Sequence, residues 1–233
     1  MERGMFITIE GMDGSGKTTQ IELLKEYFKT SDLNYIFTRE PGGTPISEEI
    51  RNIILTPDYK EIMCDVTEAL LFAAARAQHV RQKIIPNIMN GITVISDRFL
   101  DSSLVYQGFA RKLGMQEIFN INKLAVSNIS TMVNGEEIKI DRASPDLTFC
   151  LLLDPNKCCE RMDNRGEGVN LDRIELEGAS FQEKVYDGYL ELKKLYPDRI
   201  VIIDASKTPL EMHQEIVSHL EDFLEKNKNN HKK

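Results

Sequence analysis

Phe6-Ile7-Thr8-Ile9-Glu10, then Gly11-Met12-Asp13-Gly14-Ser15-Gly16-Lys17-Thr18-Thr19, then Ile21, Leu24 and Phe28 at helical spacing: this stretch decides how the rest of the chain is read. A short apolar run reads as a buried strand, and the Ile-Leu-Phe periodicity as one face of a helix. Between them lies a complete GxxxxGK[ST] pattern. Its glycines let the backbone curl so that successive N–H groups converge on a phosphate, and the following helix adds the positive end of its dipole. The segment Gly11–Thr19 is therefore expected to cradle ATP. Lys17 should reach the β- and γ-phosphates, and the Thr18 hydroxyl should face Mg²⁺. A ligand-free glycine turn in a β–α unit is the alternative. The loop alone does not separate ATPase, GTPase, motor and kinase. The nearest approach to a guanine-reading NKxD is Asn122-Lys123-Leu124-Ala125, which lacks the Asp and reads as a solvated helix face, so a GTPase is disfavoured.

Working outward, four more apolar runs, Tyr35–Thr38, Ile92–Ser96, Leu147–Leu153 and Ile200–Asp204, are continuous rather than alternating, as in strands buried on both faces of a parallel sheet. Helical patterns separate them. Pro45 opens one, with Ile46, Ile50 and Ile53 expected on its buried side. A long one starts near Asp65, with Glu68 as its capping partner, and runs to a kink or stop at Pro86. A last helix starts at Thr208–Pro209, with Glu211 closing a capping box and Leu210, Val217, Leu220 and Leu224 as its apolar stripe. Strands alternating with helices predict an α/β fold: a three-layer sandwich with a five-stranded parallel sheet between helices, of the P-loop NTPase kind. Residues 1–233 read as one domain, with a surface hairpin over Thr131–Ala143 and a fraying tail from Lys226.

The net charge of −8, from 29 basic and 37 acidic residues, argues against a nucleic-acid partner, whose phosphates call for a basic surface. Cys64, Cys150, Cys158 and Cys159 form no CxxC pair and read as ordinary thiols of a reducing compartment. No apolar run approaches the ~20 residues of a membrane span. The N-terminal residues lead straight into a strand and leave no room for a signal peptide, so the cytoplasm is expected.

Three further clusters fall where a parallel sheet binds its ligands, at the strands' carboxyl edge. They are Thr38-Arg39-Glu40-Pro41-Gly42-Gly43-Thr44, Leu71-Phe72-Ala73-Ala74-Ala75-Arg76, and Asp97-Arg98-Phe99 followed by Ser102 and Tyr106-Gln107-Gly108. Phe72 and Arg76 are one helical turn apart, a spacing that suits an aromatic stacking on a flat base beside a guanidinium donating to its carbonyl. Phe72 taken singly also fits a core, and Asp97–Arg98 also fits a structural ion pair.

With Leu171-Asp172-Arg173-Ile174-Glu175, these motifs make the chain similar to bacterial-type thymidylate kinases from Phe6 to about Asp204. The resemblance implies transfer of the γ-phosphoryl group of ATP to dTMP. It implies Arg98 on the acceptor phosphate, and Asp97 organising Mg²⁺ and the reacting groups. Arg39 and Arg51 are further candidates for the acceptor phosphate. Gln107 is a base-edge reader, Tyr106 fills the space of a ribose 2′-OH, Ser102 joins the acceptor site, and Asp13 lies near the acceptor sugar and phosphate. A homodimer through the long helices is implied as well. Some relatives carry an Arg in the phosphate loop where this chain has Gly14, so transition-state charge must come from elsewhere. Arg161-Met162-Asp163-Asn164-Arg165-Gly166-Glu167-Gly168 is basic and glycine-punctuated, as a lid over about residues 156–173 would be. Arg161 and Arg165, with Arg173 beyond, are expected to supply that charge; solvated helix charges are the alternative.

Overall fold

Strand β1 (Phe6–Gly11) is the centre of the molecule, with all six of its residues buried. The computed structural model describes residues 3–31, 33–133, 135–164 and 171–230. After β1 come α1 (Lys17–Lys29), β2 (Tyr35–Arg39), α2 (Pro45–Leu55), α3 (Asp65–His79), α4 (Ile85–Met89) and β3 (Thr93–Asp97). The second half runs through α5 (Leu100–Ser103), α6 (Met115–Val126), β4 (Ser127–Val133), β5 (Glu136–Arg142), β6 (Leu147–Leu152), α7 (Pro155–Asp163), α8 (Ala179–Leu195), β7 (Ile200–Asp204) and α9 (Pro209–Asn230). The sheet has the order β2-β3-β1-β6-β7 and every neighbouring pair is parallel.

Since side chains alternate across a strand, complete burial of β1 and β6 means that helices cover both faces. That is the expected sandwich. From β1 the chain crosses to β2 on one side, and from β3 it crosses back to β6 on the other. The carboxyl ends of β1 and β3 therefore flank the point where the winding reverses, the crevice such sheets use for ligands. The Gly11–Thr19 loop and the Asp97–Arg98 turn both emerge there. Register tightens this edge: Arg98 N–H donates to Ile9 O at 2.9 Å and Glu40 N–H to Asp97 O at 2.8 Å.

The helices depart from the sequence reading in instructive places. Thr208 and Glu211 do exchange reciprocal cap bonds, Thr208 N to Glu211 Oε2 at 2.9 Å and Glu211 N to Thr208 Oγ1 at 3.3 Å. The buried stripe of α9 is Met212, Ile216 and Leu220, however, while Leu210 is exposed. The helix also continues to Asn230, past the point where fraying was expected. In α2, Ser47 and Ile54 are buried, whereas Ile46 and Ile53 face solvent. Pro86 does not end the long helix: α3 passes through a π-helical turn at Val80–Ile84 into α4, and Pro86 sits in the first turn of α4, where its missing N–H is tolerated. The expected hairpin is present as antiparallel β4 and β5. Among the described residues, no helix is long and apolar enough to cross a membrane.

Candidate active site

Gly11 and Gly14 carry φ values of 132° and 77°, in the region that disfavours side chains, and a Cβ on Gly14 would lie 2.7 Å from Cys158 O. The loop is thus sealed from behind by α7, with no space for a loop arginine at that position. Met12 is fully buried. Gly11 and Met12 do not line the cleft that follows; they shape it from beneath, and their carbonyls accept from Lys17 Nζ at 3.2 and 2.6 Å. Residues Asp13 through Thr19 do line it. Helix α1 starts at left-handed Gly16 with no side-chain cap and no acid in its first turn, which leaves its leading N–H groups for a ligand.

The cleft has a volume of about 670 Å³, within the usual range for small-molecule sites. Arg39, Arg51, Phe72, Asp97, Arg98, Ser102, Tyr106, Gln107 and Arg161 all line it. Its cations crowd one another. Burial and then the nearby Arg98 guanidinium hold Lys17 below its ordinary pKa, and burial and then Arg39 do the same to Arg51. A bound anion relieves both effects. Burial alone would raise the Asp13 pKa, yet Arg98 and Lys17 outweigh it and hold the carboxyl below the usual range.

Arg98 adopts φ 66° and packs 5.1 Å from the Tyr106 ring centroid. It donates to Gly11 O at 2.8 Å, to Ser102 Oγ at 3.0 Å and to Asp13 Oδ1. Beneath it lies a carboxyl that sequence reasoning passed over. Glu10 accepts from Phe99 N–H at 2.7 Å, from Tyr189 OH at 3.3 Å and from Ser102 Oγ. Burial, then the neighbouring Asp101, push its pKa up to about 7. An acid inside an apolar strand was the available signal. Tyr189, on α8, offered none.

Several expected roles need correction. Arg76 does not line the cleft. Its guanidinium, 1% exposed, donates from Nε to Glu40 Oε2 at 2.8 Å, from Nη1 to Asn122 Oδ1 at 2.5 Å, and from Nη2 to Phe99 O and Ser103 Oγ at 3.0 Å. In this arrangement its donors are engaged by protein acceptors away from the cleft's lining. Asn122 is correspondingly buried and not on a solvated face. Glu68 caps nothing: it is 1% exposed and pairs with Arg111 and Arg173. Arg173, 2% exposed, also donates to Ile54 O at 2.7 Å, so it is anchored rather than a mobile lid charge. Arg161 reaches Gly14 O at 3.5 Å and Ala205 O at 3.3 Å from the end of α7. Arg165 lies outside the described residues.

A phosphate loop at the crevice edge, opening on a cleft that Phe72 also lines, is matched by what the chain resembles. The family model described as thymidylate kinase matches residues 9–216. Thymidylate kinase of Geobacillus sp. strain WCH70 is 43% identical over 96% of this chain and 99% of its own length. The same enzyme of Clostridium novyi is 41% identical over 94% of this chain and 100% of its own. The chain belongs to the thymidylate kinase family. Thymidylate kinase from Ehrlichia chaffeensis, a crystal structure, superposes with a TM-score of 0.68 at 31% identity, covering 94% of this chain and 99% of that one.

Membership makes the chain a nucleoside monophosphate kinase, a phosphotransferase with ATP as co-substrate. Such kinases generally work with Mg²⁺, and the cleft suits it. Asp97 Oδ1 is buried without a hydrogen-bond donor among the described residues, and Thr18 lines the same cleft. No group of three or more His, Cys, Asp or Glu able to hold a metal occurs among the described residues. Asp97 and Thr18 offer the few protein oxygens that suit a hard cation completed by phosphate and water.

Proposed function

We propose that the chain transfers the γ-phosphoryl group of ATP to the 5′-phosphate of dTMP, giving dTDP and ADP, in the cytoplasm. The observation that carries the acceptor assignment is Gln107. Its Nε2 donates to Glu68 Oε1 at 2.7 Å while its Oε1, in a side chain lining the cleft, is buried with no donor among the described residues. A buried acceptor left alone costs about 1–3 kcal/mol. The thymine N3–H is a donor that removes this cost, with the ring laid against Phe72.

The acceptor phosphate then falls to Arg98, Arg39 and Arg51, and the ATP phosphates to the loop, Lys17 and the start of α1. Asp13 and Tyr106, joined at 3.1 Å through the Tyr106 hydroxyl, border the sugar. A ribose 2′-OH would compete for that space. Both reactants are anions, so these cations act chiefly by holding them in line and neutralising charge. Thr18 and Asp97 would hold Mg²⁺, which when bound would neutralise charge on the ATP phosphates. The acceptor phosphate is already ionised near neutral pH and needs no strong base. Arg161, beside the loop at Gly14, is the cation assigned to the charge on the transferring group. Selectivity against dUMP rests on one methyl group, about 1–3 kcal/mol, so some dUMP turnover is expected.

Ile53 on α2, Val66 and Leu70 on α3 and Leu124 on α6 are large, apolar and exposed, which supports a homodimer through these helices. A crystal structure with dTMP tests the acceptor reading. It should place the ring on Phe72 and the phosphate on Arg98; a ring elsewhere in the cleft overturns it.

A further inference from the structure

We propose that Glu68 is a specificity-determining positioning residue: its carboxylate fixes the polarity of the Gln107 amide, and so selects a pyrimidine carrying N3–H over one carrying an N3 lone pair. The inference rests on the reading that Gln107 faces the acceptor base. Glu68 lies one turn before Phe72 on α3, and hence on the same face. Its Oε1 accepts from Gln107 Nε2 at 2.7 Å and Arg111 Nε at 2.8 Å. Its Oε2 accepts from Arg111 Nη2 at 2.9 Å and lies 2.6 Å from Arg173 Nη2. Burial opposes ionisation here, but Arg111 and Arg173 outweigh it and hold the carboxyl below its usual pKa.

An ionised carboxylate only accepts hydrogen bonds. Of the two ends of the Gln107 amide, only the NH₂ can face Glu68, so the oxygen is the end left for the base. Thymine and uracil present a donor at N3. Cytosine presents an acceptor there, which would meet oxygen lone pairs. A glutamine without this anchor could flip and serve either base.

The test is the ratio of kcat/KM for dTMP to kcat/KM for dCMP, which does not depend on how much of a preparation is folded. In Glu68→Gln the anchor can donate or accept, and the ratio should fall roughly tenfold or more, the scale of one discriminating hydrogen bond. Should Glu68→Gln not accumulate, Glu68→Asp keeps the charge between the arginines and withdraws it by one methylene; the ratio should fall there too. Gln107→Leu is measured in parallel and should lower dTMP kcat/KM and narrow the ratio. If Gln107→Leu does so while both Glu68 variants keep the wild-type ratio, even with a lower Tm, Glu68 is only a structural ion partner and the proposal is overturned. If Gln107→Leu changes neither quantity, the base-reading itself has failed and takes the proposal with it.

Discussion

Lys17 shows how one side chain joins the fold to the chemistry. Its ammonium lies against the Gly11 and Met12 carbonyls, 3.8 Å from Asp13 Oδ1, and burial, then the nearby Arg98, depress its pKa. A cation placed beside another cation in a cleft gains further stabilisation from an anionic ligand. Lys17→Ala is expected to reduce kcat on the order of 10²–10³, the loss seen when a charge-stabilising donor is removed. Steady-state turnover near wild type would remove Lys17 from the mechanism. Glu10 makes the opposite case, a carboxylic acid that holds its proton to higher pH than usual. Its pKa of about 7 in the folded chain exceeds the ordinary 4.5. The stability this proton binding contributes is full below the ordinary value and is lost as pH rises through about 7. Relative to Glu10→Gln, wild-type Tm should therefore decline between pH 5 and pH 8; a parallel pair of Tm curves would show that the carboxyl titrates normally.

At the scale of elements, β1 and β6 are readable because burial on both faces leaves an unbroken apolar run. Strands β2 and β7 are edge strands and only partly buried, against the expected burial on both faces, yet their apolar runs still mark them, Ile200–Asp204 to the residue. The phosphate loop was readable because its glycines, lysine and threonine have no other common use in that order between a strand and a helix. Helix faces were harder. Ile46, Ile50 and Ile53 look like a core stripe, but in α2 the apolar positions include a face turned to solvent. The surroundings of Glu68 and Arg76 are illegible for a related reason: their partners Arg111, Arg173, Glu40 and Asn122 are distant in sequence, and local pattern carries no trace of such pairings. Helix α7 brings Arg161 to the loop because Asp154 caps its start, accepting from Asn156 N and Lys157 N at 3.0 and 3.2 Å, and Pro155 fixes its first turn. Arg161→Ala should lower kcat with little change in the KM for dTMP. A change confined to that KM would assign Arg161 to acceptor binding instead.

For the whole molecule, a parallel sheet that winds both ways from β1 presents two loops at one edge, and the reaction needs two anions brought to one place. The acidic net charge of −8 is no obstacle, since the cations are gathered in the cleft. The outer surface carries its own signal. Leu70 and Leu124, 53% and 85% exposed, lie on neighbouring helices. Sedimentation of the wild type should show a dimer, and Leu70→Glu should shift it towards monomer; a monomeric wild type at micromolar concentration would leave that face without its assigned partner.

The central claim is tested most directly by ADP release from ATP, measured side by side with dTMP, dUMP, dCMP, dGMP and thymidine as acceptors. Rapid release with dTMP, weaker release with dUMP and near-background release with the others is the expected pattern. Release that no nucleoside monophosphate stimulates, or that thymidine stimulates as well as dTMP, would contradict it.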